Sequence, residues 1–312
     1  MNQTRKEGST GKNGKNQKKK FIMLPTVDYC FKELMQNEKV RKGLIAAVMR
    51  LDPKEIESTT LMPTILLKRH KDDKYGILDV RVKLKDGTQM NYEMQVEYYA
   101  YWGNRSTYYM TRMYTDQISS GEEYDALQKC VQVSILDFKL FDDDRCYRKI
   151  MLCDVESGEI YSDRMEMHVL ELPKLPPEDR NEIGLYRWMR FLGGKSEEDL
   201  KRMAEKDEYI GEAYELIKKL SADEKKRIAY EYREKAIRDH RSMMKSARET
   251  GEREGFEKGE KYGREEGEKL GRASLLAEKV KKKYIKGQSI EQIAEDLVED
   301  LDVIRKIMEE MK

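Results

Sequence analysis

The amino-acid sequence predicts an α/β protein, in which a mixed sheet flanked by helices is followed by a mostly α-helical C-terminal extension. Short runs rich in apolar and β-branched residues recur between positions 59 and 172, and segments of helical periodicity alternate with them. A proline cluster at Pro173, Pro176 and Pro177 ends this region. Beyond it the apolar residues follow a helical spacing alone, so helices without strands are expected there.

Length and composition bound the class of protein. A chain of 312 residues can bury a sizeable core, and a net charge of +1 means that any attraction for nucleic acid must come from local clustering. The four cysteines form no closely spaced pair, which favours reduced thiols over a zinc site. No apolar run approaches the roughly 18 residues of a membrane span and no signal peptide is recognisable. We therefore expect a soluble, cytoplasmic protein without a membrane partner.

The sequence predicts five segments. They are a disordered basic tail at 1–20, an α/β domain at 21–175, a helical extension at 176–245, a glycine-repeat segment at 246–273 and short helices at 274–312. The tail carries seven lysines and arginines against one acid, Glu7, and it lacks the apolar residues of a core. Two interpretations of the tail are open: a solvated segment, or one that makes loose contact with phosphates.

Within the α/β domain the elements follow one another with recognisable boundaries. Asp28 is expected to cap a helix through Met35, and a second helix covers about 38–50. Strands are expected at 59–68, 76–83 and 90–97, a helix at 105–119, and strands at 131–138, 149–155 and 165–172. The Asp86-Gly87 pair predicts a hairpin between the second and third strands. Further helices are expected at 183–192, 197–220 and 222–247.

Two carboxylates in this hairpin are the candidate functional residues. Alternation along the third strand puts Glu93 and Gln95 on one face, with Tyr92 and Met94 on the other. The hairpin brings Asp79 close to Glu93, and two neighbouring carboxylates repel each other unless a cation compensates. A hard divalent ion such as Mg²⁺ or Mn²⁺, which prefers oxygen ligands, fits that requirement. The alternative is that both acids belong to a solvated sheet face.

Several motifs, in order, resemble those of a known family. They are residues 28–34 (DYCFKEL), 77–80 (ILDV), 91–95 (NYEMQ) and 104–109 (NRSTYY), followed by Tyr114, Gln117, Gly121 and Tyr124. Together they resemble the recombination-promoting nuclease / putative transposase family (Rpn-like) of the PD-(D/E)XK nuclease superfamily, over roughly residues 21–172. The resemblance implies a restriction-endonuclease-like fold and a metal-dependent DNA endonuclease.

The same resemblance implies roles for individual residues. Asp79, Glu93 and the backbone carbonyl of Met94 would hold Mg²⁺ or Mn²⁺, and Gln95 would orient the attacking water or contact the phosphate. Asp28 and Arg105 are accessory candidates: Asp28 as a further acid or an N-cap, Arg105 as a phosphate contact or a carboxylate partner.

One position departs from the family pattern. Gln95 stands where lysine is usual, and a neutral amide cannot lower the pKa of water by its charge. The alternative function is therefore a catalytically impaired nuclease-fold protein that binds DNA or assembles with partners. A group of aromatic residues near the site has two interpretations as well, packing in the core or stacking on bases. They are Tyr98, Tyr99, Tyr101, Trp102, Tyr108 and Tyr109.

The glycine-repeat segment carries a glycine at every fourth position from Gly251 to Gly271. Each glycine inside a helix costs about 0.8–1 kcal/mol relative to alanine. The segment is either a flexible charged linker or a helix whose bare stripe lets a partner helix approach closely, which would make the chain a homo-oligomer. Near the C-terminus, Ser289 and Gln292 form a predicted capping box. The helices there are acidic, which favours helix packing or oligomerisation over insertion into a DNA groove.

Overall fold

The computed structural model describes residues 21–66, 72, 74, 76–179 and 182–310. The predicted basic tail and the last two residues of the strand predicted at 59–68 lie outside these ranges. The chain divides into two compact units, Met1–Arg238 and Asp239–Lys312.

A six-stranded mixed sheet forms the centre of the first unit, as the sequence predicts. Its strands are β1 Thr59–Met62, β4 Val80–Leu84, β5 Gln89–Gln95, β6 Cys130–Leu136, β7 Tyr147–Cys153 and β8 Ile160–Glu171. Their order across the sheet is β1-β4-β5-β6-β8-β7. The pairs β5–β6 and β6–β8 are parallel, and the other pairs are antiparallel. Two short strands, β2 Ile65–Leu66 and β3 Gly76–Ile77, pair separately.

The predicted hairpin joins β4 to β5, with Val80 opposite Tyr92. Gly87 has φ +90°, a backbone conformation that favours glycine. The strand expected at 76–83 is interrupted at Asp79, which lies between β3 and β4. This interruption frees the backbone of Asp79 from the regular ladder, and its amide is used in the site described below.

The two faces of the sheet pack against different helices. One face contributes Val82, Tyr92 and Val133 to the main hydrophobic core, which it shares with the first two helices. The opposite face packs Cys130 against Tyr109 and neighbouring residues of the third helix in a smaller cluster. The helices of the first unit before residue 223 are α1 Asp28–Leu34, α2 Glu38–Met49, α3 Trp102–Thr115, α4 Gly184–Leu192, α5 Glu197–Ala204 and α6 Glu208–Ala222.

Two boundaries correct the sequence interpretation. The helix expected at 197–220 is two helices, because Asp207 caps a new helix by accepting hydrogen bonds from Tyr209 N and Ile210 N. The helix expected at 105–119 begins three residues earlier, at Trp102, and ends at Thr115 rather than near Gly121. Within the main core, α2 and α6 approach closely at Gly43, where an added Cβ would lie 2.3 Å from Cβ of Tyr209.

The long helix α7, Glu224–Ile285, includes the whole glycine-repeat segment. Its first turns contribute Tyr230 to the main core. Its last turns form a separate cluster in the second unit with α8 Ile290–Leu297 and α9 Leu301–Glu310, in which Val280, Ile293 and Ile304 are buried. The predicted capping box of Ser289 and Gln292 is present at the start of α8. Among the described helices, none combines the length and the apolar composition needed to cross a membrane.

Candidate active site

Glu93 is the buried centre of the candidate site. It lies in β5, between two paired strands, and its side chain is on the face opposite Tyr92 and Met94. Its Oε1 accepts hydrogen bonds from Asn91 Nδ2 and from the backbone amide of Asp79, both at 3.1 Å. Its Oε2 accepts a longer hydrogen bond from Gln95 Nε2 at 3.3 Å. This buried carboxylate is thus held by two side chains of β5 and by the backbone amide of Asp79, which directly precedes β4.

Two hydrogen bonds from backbone amides tie the carboxylates of Asp79 and Glu93 together. While the amide of Asp79 donates to Glu93, the amide of Met94 donates to Asp79 Oδ2 at 3.2 Å. The break between β3 and β4 makes this exchange geometrically available, because Asp79 is not in a regular strand. The predicted approach of the two acids is therefore present, and their mutual orientation is fixed by two hydrogen bonds.

The electrostatic environment of Glu93 opposes its charge. Burial raises the pKa of Glu93 to about 7, and the neighbouring charge of Asp79 adds to the effect. The hydrogen bond from Asn91 and the guanidinium of Arg105 act in the opposite direction but are outweighed. A positive ion near both carboxylates would favour the charged form of Glu93.

A lysine from the first helix reaches the same site. Lys32 Nζ lies 2.8 Å from Asp79 Oδ1 and 3.2 Å from Asp28 Oδ2. Burial acts to lower the pKa of Lys32, but the two carboxylates outweigh it and raise the pKa above the ordinary value. Lys32 therefore remains a charged ammonium that bridges two of the predicted site acids.

Asp28 does not act as the predicted N-cap. The N-cap of α1 is Val27, which makes no side-chain cap, and Asp28 is the first helical residue. Its carboxylate instead accepts a hydrogen bond from Arg233 Nε of α7 at 2.7 Å, in addition to the one from Lys32. Burial acts to raise the pKa of Asp28, but these two cations outweigh it and the pKa lies below the ordinary value. The position of the Asp28 carboxylate is therefore set by Lys32 and Arg233 and not by the backbone amides at the start of α1.

The remaining predicted residues lie around this pair. Arg105 in α3 points toward Glu93, with Nη2 3.9 Å from Oε2, and its Nε donates to the hydroxyl of Tyr109 at 3.0 Å. Its partner in the structure is thus a carboxylate, one of the two interpretations that its sequence position left open. Met94 contacts Asp79 through its amide, and a metal contact by its carbonyl stays a prediction.

The oxygen donors present fit a hard divalent cation. Mg²⁺ is usually held by one or two carboxylates and keeps several waters, so the Asp79 and Glu93 pair is a sufficient set of acidic ligands. The unfavourable burial of Glu93 beside Asp79 is the observation that a cation would relieve. Within the described ranges, no group of three or more His, Cys, Asp and Glu side chains converges as a metal site. Asp28 accordingly does not complete an acidic triad with the other two.

Sequence reasoning missed two residues of this site. Lys32 was visible only as part of the motif at 28–34, although its spacing of four from Asp28 on one helix face signals a pair. Arg233 lies 205 residues from Asp28 and carries no local signal.

A comparison with protein families finds a match to the PD-(D/E)XK nuclease family transposase over residues 25–247. The match covers more than half of the chain, so this protein belongs to the PD-(D/E)XK nuclease family transposases. Neither the curated proteins nor the solved structures contain a match.

Proposed function

We propose that this protein is a metal-dependent DNA endonuclease of the transposase or recombination-promoting type. The observation that carries the proposal is a pair of backbone hydrogen bonds that holds the two carboxylates together: the amide of Asp79 donates to Glu93, and the amide of Met94 donates to Asp79. Family membership supports a nuclease or transposase type of function, and the site supports the finer assignment.

The residues that would hold the ion are the carboxylates of Asp79 and Glu93 and the carbonyl of Met94. A bound Mg²⁺ or Mn²⁺ would supply Lewis acidity toward water and phosphate oxygens. The protein keeps Glu93 oriented through Asn91 and Gln95, which donate to its two oxygens. In this account Gln95 positions a ligand rather than supplying charge.

Lys32 supplies the positive charge that Gln95 lacks. Its ammonium lies at Asp79, on the same acid pair that the usual motif lysine would accompany. In hydrolysis a water oxygen bonds to phosphorus, one P–O ester bond breaks, and the leaving oxygen gains a proton. Negative charge grows on the phosphate during this step, and a fixed ammonium nearby stabilises it. Lys32 lies at Asp79, whereas the guanidinium of Arg105 is directed at Glu93. Arg105 is therefore placed to contact the phosphate from the side of Glu93.

The rival function is a catalytically impaired protein that retains the fold for DNA binding or partner assembly. The neutral Gln95 favours it, because the usual lysine is missing from its place in the motif.

Plasmid nicking separates the two functions. Supercoiled plasmid is incubated with the full chain and Mg²⁺ or Mn²⁺, alongside Asp79→Asn, Glu93→Gln and the control Asp163→Asn, an exposed acid in β8. We expect nicking by the parent protein and the control, and its loss in the two site variants and in EDTA. Binding of plasmid without any nicking would support the rival.

We further propose that two copies associate through α7. Among the described residues, an added Cβ would meet no atom within 4 Å at any of the six repeat glycines from Gly251 to Gly271. Phe256, Tyr262 and Leu270 in the same stretch are largely exposed. Relative to alanine, six glycines inside a helix lower its stability by on the order of 5 kcal/mol. Close packing against a second helix would offset this loss. Sedimentation equilibrium of the full chain should give a dimer that Gly259→Arg weakens, and a monomer at tens of micromolar would contradict it.

A further inference from the structure

A cavity beside the candidate active site is lined mainly by tyrosines. It has a volume of about 540 Å³ and is bordered by Tyr99, Tyr101, Tyr108, Tyr109, Arg105 and Lys74. Its volume falls within the range of about 300–1,000 Å³ that is usual for small-ligand sites. We call it the tyrosine pocket.

The aromatic residues that the sequence grouped together differ in their exposure. Trp102 and Tyr109 are buried and belong to the packing of α3. Tyr99 and Tyr101, in contrast, are 45% and 67% exposed, with their rings 6.2 Å apart in an edge arrangement. Tyr98 has a partner of its own, because its ring packs edge-on against Phe138. The rings of Tyr99 and Tyr101 thus present open aromatic surface at the pocket.

Arg105 connects the pocket to the acid pair. Its guanidinium lies over the ring of Tyr109 at 5.2 Å and over Trp102 at 5.5 Å, while Nη2 is directed at Glu93. One side chain therefore lines the pocket and approaches the carboxylate that would face a scissile phosphate. Lys74 adds a second cation, and its carbonyl accepts a hydrogen bond from the hydroxyl of Tyr108.

This combination suits one chemical class of ligand. Open tyrosine rings stack on nucleobases irrespective of their sequence, and neighbouring cations attract the phosphates of the same strand. A base can enter such a pocket only after it has left the duplex stack. Among the described residues, those that line the pocket include two cations, Arg105 and Lys74, and no carboxylate.

We propose that the tyrosine pocket binds an unpaired base of the DNA strand whose phosphodiester lies at Asp79 and Glu93. This inference rests on the proposed function, because it places the pocket next to the phosphate that is cut. The protein then selects single-stranded or locally opened DNA over a continuous duplex.

The test measures binding of a fluorescein-labelled 12-nucleotide oligothymidylate and of a 12-base-pair duplex to the full chain in EDTA, where no cutting occurs. Tyr101→Ala and Tyr99→Ala are compared with Tyr161→Ala, an 88% exposed tyrosine of β8. We expect Tyr101→Ala to weaken binding of the single strand about tenfold, with duplex binding and the control unchanged. Circular dichroism of each variant checks that the fold is kept.

An equal loss for single strand and duplex, or no loss for either, overturns the proposal. A second measurement identifies the contact directly: an oligonucleotide carrying 5-bromouracil is crosslinked by light and the attached peptide is sequenced. We expect attachment within residues 98–109, and attachment confined to other segments contradicts the pocket.

Failure of the proposed function is visible separately. If the parent protein never nicks DNA with Mg²⁺ or Mn²⁺ but oligothymidylate binding depends on Tyr101, the nuclease assignment fails and the pocket remains a base-binding site remote from any cutting. If nicking is present and binding is independent of Tyr99 and Tyr101, the pocket alone fails.

Discussion

The ammonium of Lys32 lies 2.8 Å from Oδ1 of Asp79, although Lys32 is in α1 and Asp79 follows β3, with α2, β1, β2 and β3 between them in the sequence. This ion pair places a lysine at the acid pair from outside the sequence motif in which lysine usually stands. Gln95 takes the motif position at which lysine is usual. The positive charge therefore comes from a distant part of the sequence, although it lies beside the same carboxylates in the structure.

Replacing Lys32 tests whether this charge is used in the reaction. We expect Lys32→Met to lower the rate of plasmid nicking by about 10²- to 10³-fold, because a fixed positive charge at the phosphate is lost. Binding of Mn²⁺ should be unchanged or tighter, since a like charge beside the ion is removed. The control is Lys39→Met, which removes an ammonium that pairs with Glu208 and lies 5.6 Å from the ring centre of Tyr209. Weaker metal binding with an unchanged nicking rate would contradict this role.

A lysine returned to the motif should compensate for the loss. We expect the double variant Lys32→Met with Gln95→Lys to nick faster than Lys32→Met alone, because Gln95 already lies beside Glu93 Oε2. Rates of the two variants on the same plasmid decide the matter. Equal rates would mean that Lys32 acts through its own geometry rather than through its charge.

The contribution of Glu93 to the stability of the metal-free protein should fall as the pH rises toward neutrality. Burial and Asp79 raise the pKa of Glu93 to about 7, whereas a glutamate in an unfolded chain titrates near 4.3. The folded state therefore binds the extra proton between these values, so its contribution to stability is present below about pH 4 and is lost as the pH passes 7. Glutamine, the neutral isostere of glutamate, does not titrate and so avoids this loss of stability.

We accordingly expect Glu93→Gln to be more stable than the parent protein at pH 8 in EDTA, by on the order of 1–3 kcal/mol. The difference should shrink toward pH 5, and urea unfolding at the two pH values measures it. A difference that does not change with pH would show that Glu93 is not held in an environment that opposes its charge.

The contact between α2 and α6 gives a prediction about stability alone. Gly43→Ala should destabilise the fold by about 1–3 kcal/mol, because the new Cβ would lie 2.3 Å from Cβ of Tyr209 and 2.9 Å from the Trp188 ring. Gly103→Ala is the matched control, because no atom of the described residues lies within 4 Å of the added Cβ, and it should be neutral or slightly stabilising. Thermal unfolding of the pair measures the difference, and equal melting temperatures would contradict the close approach.

The sequence predicts the approach of Asp79 to Glu93, because a local turn determines this part of the site. Asp86-Gly87 defines the hairpin, the hairpin sets Val80 opposite Tyr92, and this register brings Asp79 next to Glu93. Alternation along β5 then separates Glu93 from Tyr92. Each of these steps depends on residues close together in the sequence, so pattern and turn chemistry are sufficient.

Lys32 and Arg233 required tertiary structure. The position of Lys32 depends on the packing of α1, because Phe31 and Leu34 bury the other face of this helix in the main core. No local sequence pattern predicts that packing. Arg233 reaches Asp28 only because α7 begins against the same core through Tyr230. The assignment of Asp28 as an N-cap was wrong for the same reason: two distant cations, invisible in the sequence, determine where its carboxylate lies.

Binding of Mn²⁺ by the full chain tests the central claim most directly, because it asks whether Asp79 and Glu93 share an ion without requiring DNA or catalysis. Electron paramagnetic resonance of free Mn²⁺ during titration at pH 8 gives the affinity. We predict one site in the parent protein and in Asp163→Asn, weakened at least about tenfold by Asp79→Asn and by Glu93→Gln alike. Unchanged binding in both site variants, or no binding by the parent protein, would contradict the account.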